Sequence, residues 1–472
     1  MFSSAVRRTL AVGLLLILLF SFVSCIPAPN RPSTTTSGES LTTPSAEELR
    51  ERILASEGES HPSVRAWLAA WDFPEYEELV LAYMESAYSL YYVGDLPDTD
   101  TLARELGLLF AEFMYLIDPS DKNEVTDLLM ECFLVAAGDR YAYYMNPEAL
   151  AEYTSGLDGD FVGIGVHVIY SDGDEPFCQI VDVFEESPAR EAGMLAGDYV
   201  VAVNGMRYPE ISYVEMIDLV KGEAGSTVEI TVLRDGSEIT LVMQRREVVE
   251  ETVDGWILEG APTVGYLRIV EFDRTTLGQF TATYEKLIRD GATSIIFDVR
   301  DNPGGLLDAI LGVLDYLVPD GVRLAGYEYY DGTSEFDTSN DGHEIPSTLP
   351  IVVLTNASTV SAGELFASAL KDYGEEGYLD VTLVGETTFG KGMMQSMITL
   401  PGGRASTISI AYYNPPYSDN YEGVGVSPHV FESLPEAAAK KSLYLLTDEE
   451  DTQRARAVSI LLSKQSGEVI LP

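Results

Sequence analysis

The chain has 472 residues, 46% hydrophobic and 22% charged, a globular composition long enough for two to four folding units. Its formal net charge is −47, from 76 acidic and 29 basic residues. That balance excludes nucleic-acid binding through clustered Lys and Arg, disfavours electrostatic docking on anionic lipid, and reads as a solvated acidic surface.

In chain order, Arg7 and Arg8 precede an apolar run from Leu10 to Val23, too short for a transmembrane helix and built like an export signal. Phe22-Val23-Ser24-Cys25 resembles a bacterial lipobox, which implies lipidation of Cys25 and a tether to the extracytoplasmic side of a membrane. Simple cleavage near Ser24 is the alternative. Residues 26–45 are dominated by Pro, Ser and Thr and read as a flexible linker. Cys132 and Cys178 fall in apolar stretches as buried free thiols; no disulfide framework, metal site or cofactor is signalled.

Helical periodicity fills residues 46–150. Ser45 and Glu48 form a capping box, and helices are predicted at about 74–92, 101–117 and 121–137. The aromatic stripe Tyr83, Tyr88, Tyr91 and Tyr92 is read as core or subunit packing. From Phe161 the period changes to short strands: Val162–Tyr170, Cys178–Phe184, Tyr199–Val203, Val228–Leu233 and Ile239–Met243. Arg234-Asp235-Gly236-Ser237 is a hairpin turn, and helices are expected at 189–192 and 213–221. This unit occupies 151–247. Residues 248–472 alternate strands (264–269, 294–299, 351–355) with helices (277–290, 306–317, 363–373), the pattern of a layered α/β core.

Four motifs carry chemistry. Gly163-Ile164-Gly165-Val166, followed by Ser187-Pro188-Ala189 and Gly197-Asp198, resembles a PDZ domain of the bacterial protease type. Such glycines aim backbone N–H groups at a peptide carboxylate, and the strand after them can pair with the peptide. Helix 213–221 supplies the other wall, with Tyr213, Met216 and Val220 as pocket candidates. Asn302-Pro303-Gly304-Gly305 turns from a strand into a helix, leaving N–H groups able to converge on an oxyanion. Ser361, in Val360-Ser361-Ala362-Gly363-Glu364, opens a helix after an apolar strand, where a serine is either a helix cap or a nucleophile. Gly385-Glu386-Thr387-Thr388-Phe389-Gly390-Lys391-Gly392 nearly spells a phosphate-binding loop. Gly392 replaces the Ser or Thr that would hold magnesium, and the following Met393–Ile398 reads as a strand rather than a helix.

Together, from about Gly138 onward, these motifs resemble the carboxyl-terminal processing peptidases, or tail-specific proteases. Asp139-Arg140-Tyr141 ahead of the PDZ unit and Asp451-Thr452-Gln453 opening a last helix extend the likeness. The resemblance implies a multidomain α+β protein: a helical region that can dimerise, a PDZ domain, and a crotonase-like protease core. It implies a serine endopeptidase with Ser361 as nucleophile, Lys391 as general base and Gln395 orienting the lysine. The N–H groups of Ala362 and of the Gly304–Gly305 turn match the oxyanion hole, and protein or peptide substrates with accessible C-terminal tails are the expected partners. A non-catalytic peptide-binding protein of the same fold is the alternative.

A free lysine titrates near about 10.4, so at pH 7 only a few in ten thousand are neutral; burial can lower that by about 3–5 units. Phe389, Met393 and Met394 are the apolar neighbours expected to do so. A histidine base has four candidates, His61, His167, His343 and His429, of which only His429 falls near a family motif, at Pro428-His429 where Pro-Asp is usual. Other departures are Gly363 in place of a second Ser, Lys221 in place of an Arg beside the PDZ helix, a Pro415–Glu422 stretch without the usual Gly-Arg pair, and extra residues around Glu375–Leu379.

Overall fold

The computed structural model describes residue 84 and residues 87–118, 120–158, 160–171 and 177–466. The export signal, Cys25, the linker, His61 and Tyr83 lie outside the described residues. The chain divides into two compact units that do not follow sequence order: residues 327–335 and 393–413 join the N-terminal segment up to Tyr153, and the remainder forms the second. Among the described residues, no helix is long and apolar enough to cross a membrane.

In the first unit, helices Thr99–Phe113 and Lys122–Ala137 occupy two of the predicted runs. The second is capped by the Asp121 carboxylate on Asn123 N–H and ended by left-handed Gly138. Leu106, Phe110, Met130 and Phe133 share a core with Tyr88, whose ring meets Phe133 edge-on, while Tyr91 is exposed. Of the stripe's described residues, Tyr88 and Tyr92 pack on the core and Tyr91 faces outward. Leu400 and Ile408, from the antiparallel strands Met393–Leu400 and Arg404–Asn414, complete this core. Buried Asp139 accepts from Tyr88 Oη (3.2 Å), Ser409 N (2.9 Å) and Ser409 Oγ (2.7 Å), fastening the end of the helix to the sheet.

The second unit contains the segment expected to be a PDZ domain and the α/β core that follows it. The PDZ sheet runs Val166–Ser171, Phe177–Val183, Tyr199–Val203, Thr227–Arg234, Ser237–Gln244, with Met206–Arg207 pairing Tyr199–Val203. Asp235 and Gly236 take positive φ at the hairpin, as the turn residues predict. The single strand expected at 162–170 is divided at Gly165, whose φ of +75° breaks the extended backbone; only glycine fits there, since a Cβ would press on Ser187. Its first piece, Asp160–Gly163, pairs instead with Arg246–Val249. Helix Tyr213–Val220 begins on a Ser212/Glu215 capping box.

The core sheet orders Val253–Leu258, Ala261–Ile269, Ser294–Asp298, Pro350–Thr355, Asp380–Gly385, Val430–Phe431, antiparallel at the first pair and parallel thereafter. Every residue of Ser294–Asp298 is buried, which explains its continuous apolar run. Helices Thr276–Arg289, Leu307–Leu317, Ala362–Glu375 and Thr452–Ser466 complete this crotonase-like α/β layer. Just past Asp298, fully buried Arg300 pairs with Asp298 (2.6 Å) and Asp451 (2.8 Å) and donates to Gln453 Oε1 (2.9 Å). Burial alone would raise Asp298; the adjacent guanidinium holds it below its ordinary value.

His167, on PDZ strand Val166–Ser171, lies 3.4 Å from Glu250 Oε1 and 3.7 Å from Asp182 Oδ2, beside Phe184 and the Tyr444 ring over which Arg268 sits. Burial opposes its charge, yet Asp182 and Glu250 push the imidazole up to about 9. Its contribution to stability is therefore complete below the free value of about 6.5 and is lost as pH rises through about 9, a change of about 3 kcal/mol. Glu271, raised to about 7 mainly by burial, costs stability that accrues as pH rises through about 4.5–7 and stays constant above it. Thermal melts of wild type and His167→Gln should show the wild-type melting temperature falling between pH 6.5 and 9, and the variant nearly flat over that window.

Candidate active site

Three neighbouring parallel strands, Ser294–Asp298, Pro350–Thr355 and Asp380–Gly385, end on the same edge of the core sheet. The segments leaving them carry the Gly-Gly turn, Ser361 and Lys391. Loops beyond the carboxyl ends of parallel strands are the usual place for a site, because the sheet fixes their roots while leaving their tips free to carry function.

Ser361 precedes helix Ala362–Glu375 with φ 55° and ψ −119°, a strained conformation for any residue with a Cβ, costing about 1–3 kcal/mol. This is the geometry of a nucleophile elbow, although Thr359 stands where the motif has its first Gly. Thr359 is held otherwise: its hydroxyl donates to the Val299 carbonyl (2.8 Å) and accepts from Asn356 N (3.1 Å). Val360 N donates to the Asn302 carbonyl (2.9 Å), joining the serine segment to the Gly-Gly turn.

That turn is enclosed. Buried Asn302 donates to the Ile269 carbonyl (2.9 Å) and accepts from Gly304 N (2.8 Å), so the Gly304 N–H is already used. Phe272 N donates to the Gly304 carbonyl and Leu306 N to the Phe272 carbonyl. A Cβ at Gly304 would come 2.7 Å from Ser361 Cβ and 3.0 Å from Ala362 N, and one at Gly305 would meet the Phe272 carbonyl. Both positive-φ glycines are therefore required by close approach. Among the described residues, the N–H groups of Gly305 and Ala362 have no acceptor. Gly363, where a second Ser is usual, faces Asn302, whose Oδ1 would lie 3.0 Å from a Cβ there.

Half-buried Lys391 sits between Gly390 (φ +95°) and Gly392, each packed too closely on residues 420–425 for a larger residue. Of the apolar neighbours expected around it, Phe389 is 45% exposed, while Met393 and Met394 are half-buried on strand Met393–Leu400. Gln395, on that strand in the first unit, donates its amide to the Tyr141 carbonyl (2.5 Å) and to Thr407 Oγ1 (3.2 Å).

The residue that organises the serine and lysine segments is Glu364, for which the motifs alone signal no role. Its side chain is fully buried. Oε2 accepts from Ser361 N (3.0 Å) and Lys391 N (2.8 Å); Oε1 accepts from Gly390 N (2.6 Å) and Thr388 Oγ1 (2.6 Å). Burial pushes this carboxyl above its ordinary value, against the pull of the four donors. Its three-residue spacing from Ser361 is that of a capping box, and that was the available signal. The same contacts exclude a phosphate loop, since Gly390 and Lys391 spend their N–H groups on a carboxylate and the chain continues as a strand.

The described histidines are occupied elsewhere. His429 accepts from Leu383 N (2.9 Å) at the sheet edge and is lowered by burial and by Lys371. His343 stacks on Tyr316. In the PDZ domain, the carbonyls of Ile164 and Gly165 accept from Ala189 and Phe184 N–H. Met216 points into the domain core, whereas Tyr213 and Val220 are half-buried on the same helix.

This fold and site define a serine-type peptidase with a PDZ domain. Residues 263–431 match the Peptidase family S41 profile and residues 179–234 a PDZ domain. The chain is 30% identical over 329 residues to the chloroplastic C-terminal processing peptidase of Tetradesmus obliquus, covering 66% of this chain and 69% of that protein. It is 29% identical over 320 residues to carboxy-terminal processing protease CtpA of Bacillus subtilis (strain 168), covering 68% and 66%. A solved Bacteroides fragilis NCTC 9343 structure designated an S41 protease shares the fold at 19% identity and TM-score 0.57, covering 81% of this chain and 97% of that one. The chain belongs to peptidase family S41, among the carboxy-terminal processing peptidases.

Replacing Glu364 by Gln turns one acceptor into a donor facing donors. Expected are a fall in kcat of about 10²-fold or more with KM little changed, and a lower melting temperature.

Proposed function

We propose that this peptidase is an endopeptidase that seats the C-terminal tail of a protein substrate in its PDZ groove and cleaves with a Ser361–Lys391 dyad. Neutral Lys391 Nζ takes the Ser361 proton as Oγ bonds to the scissile carbonyl carbon. The oxyanion is held by the N–H groups of Ala362 and Gly305, since Gly304 N–H is committed to Asn302. The lysine ammonium then returns its proton to the leaving amine, and water hydrolyses the acyl-enzyme by the same path. Gln395 orients the lysine. The export signal and lipidated Cys25 hold the enzyme on the extracytoplasmic face of the membrane, and the N-terminal helices pair two copies.

The observation that carries this reading is that Ser361 N and Lys391 N share one carboxylate oxygen, which brings two segments separated by thirty residues of chain to a single point. A peptide-binding protein without activity has no need for the strained Ser361 backbone beside two unfilled N–H groups.

Cleavage of a tail peptide decides the matter. Ser361→Ala should abolish turnover, and equal turnover by wild type and variant would sink the dyad. Lys391→Arg keeps the positive charge but cannot become neutral, so it too should fall to background; substantial activity in that variant would assign the lysine a purely electrostatic role. The wild-type kcat/KM should rise with pH along a limb set by the lysine.

A further inference from the structure

Strand Val166–Ser171 is the edge of the PDZ sheet, and it begins immediately after the Gly163–Gly165 turn. Val166 and Val168 from this strand and Tyr213, Ile217 and Val220 from helix Tyr213–Val220 are all half-buried against one core; in the tail-binding reading these two elements are the walls between which the tail lies. Near the far end of the strand, Tyr170 stacks on Tyr213, the first residue of the helix, with ring centroids 3.7 Å apart and planes 7° from parallel. That separation is van der Waals contact. The rings join the two walls and leave no passage between themselves, while Tyr170 remains 50% exposed.

A strand advances about 3.3 Å per residue, so Tyr170 stands roughly 13 Å along the groove from Val166. A tail anchored by its carboxylate at the Gly163–Gly165 amides and running antiparallel to the strand arrives at the rings with its fourth or fifth residue from the end. Up to that point a tail can lie along the strand edge; at the rings it must part the stack or bend outward. We infer that the Tyr170–Tyr213 stack is a specificity-determining element of this peptidase: it selects tails that are small or flexible at the fourth and fifth positions from the C-terminus. The inference rests on the tail-binding reading proposed above. The two tyrosines belong to the PDZ strand and helix, not to the segments that carry the dyad and its supports, so the selection acts on binding rather than on bond cleavage. A stacked aromatic pair changes an equilibrium by about 2- to 12-fold, which bounds the discrimination.

The test uses the full chain with Ser361→Ala, so that bound peptides stay intact, and fluorescence anisotropy with two labelled eight-residue peptides. Both share the same three apolar C-terminal residues; one carries Gly-Gly and the other Leu-Leu at the fourth and fifth places from the end. The parent should prefer the Gly-Gly peptide. Adding Tyr213→Ala should tighten the Leu-Leu peptide by about 2- to 12-fold and bring the two affinities together, while Tyr213→Phe, which keeps the stack, should preserve the preference. Tyr170→Ala opens the stack from the exposed side and should match Tyr213→Ala, which guards against a folding defect in the helix. Weaker binding of both peptides in the alanine variants, or an unchanged preference, overturns the inference. If neither peptide binds the parent or any variant, or if amidating the C-terminus changes nothing, the tail-binding reading fails and the selection role with it.

Discussion

The buried carboxylate of Glu364 is the constraint around which the site is arranged. A charge taken out of water is tolerated only if its oxygens are hydrogen-bonded, and here four donors from residues 361, 388, 390 and 391 converge on two oxygens. The balance is close, because burial lifts the carboxyl above its usual value despite those donors. The consequence is geometric. Two loops from different strands are tied by backbone N–H groups, which do not adjust as side chains do, so the serine and lysine segments are fixed by the main chain. The strain at Ser361 is sustained in the same way, by Glu364 on one side and the Asn302 carbonyl on the other.

Arg300 has a comparable role beneath the Gly-Gly turn. Its guanidinium fills the space between the end of strand Ser294–Asp298 and the start of the last helix, reaching Asp298, Asp451 and Gln453. Removing one member of such a buried network leaves an uncompensated charge and typically costs about 3–5 kcal/mol. The strand end fixed in this way is the one from which the Gly-Gly turn departs, so the turn faces Ser361 from a rigid root. The Asp451-Thr452-Gln453 run thus serves the site from the far end of the chain.

The PDZ domain is joined to this core through side chains of mixed sign. His167 lies on the edge strand Val166–Ser171, and its partners are Asp182 within the PDZ sheet and Glu250 on the segment leading into the core, with Tyr444 and Arg268 beside it. The edge strand of the PDZ sheet is therefore linked by its side chains to the peptidase core.

Much of this was legible in the residues. Apolar periods located the core strands and helices to within a few residues, since a strand buried on both faces must be continuously apolar and an amphipathic helix cannot conceal its stripe. Asp235-Gly236 specified its hairpin, and the order of the Gly-Gly, serine and lysine motifs identified the peptidase family. Pairing was not legible. The break at Gly165 follows from its positive φ in a place too close to Ser187 for any side chain, the commitment of Gly304 N–H follows from Asn302, and Met216 lies in the core because of how its helix is rotated. The joining of residues 393–413 to the N-terminal helices depends on Leu400 and Ile408 meeting Phe110 and Phe133, residues roughly three hundred positions away. Glu364 sat in view within its motif, three residues after the serine, where local spacing alone reads as a helix cap. Local sequence determines backbone preference and burial pattern; which distant N–H groups a buried carboxylate collects is decided only when the chain has packed, because the cost of leaving them unpaired arises only then.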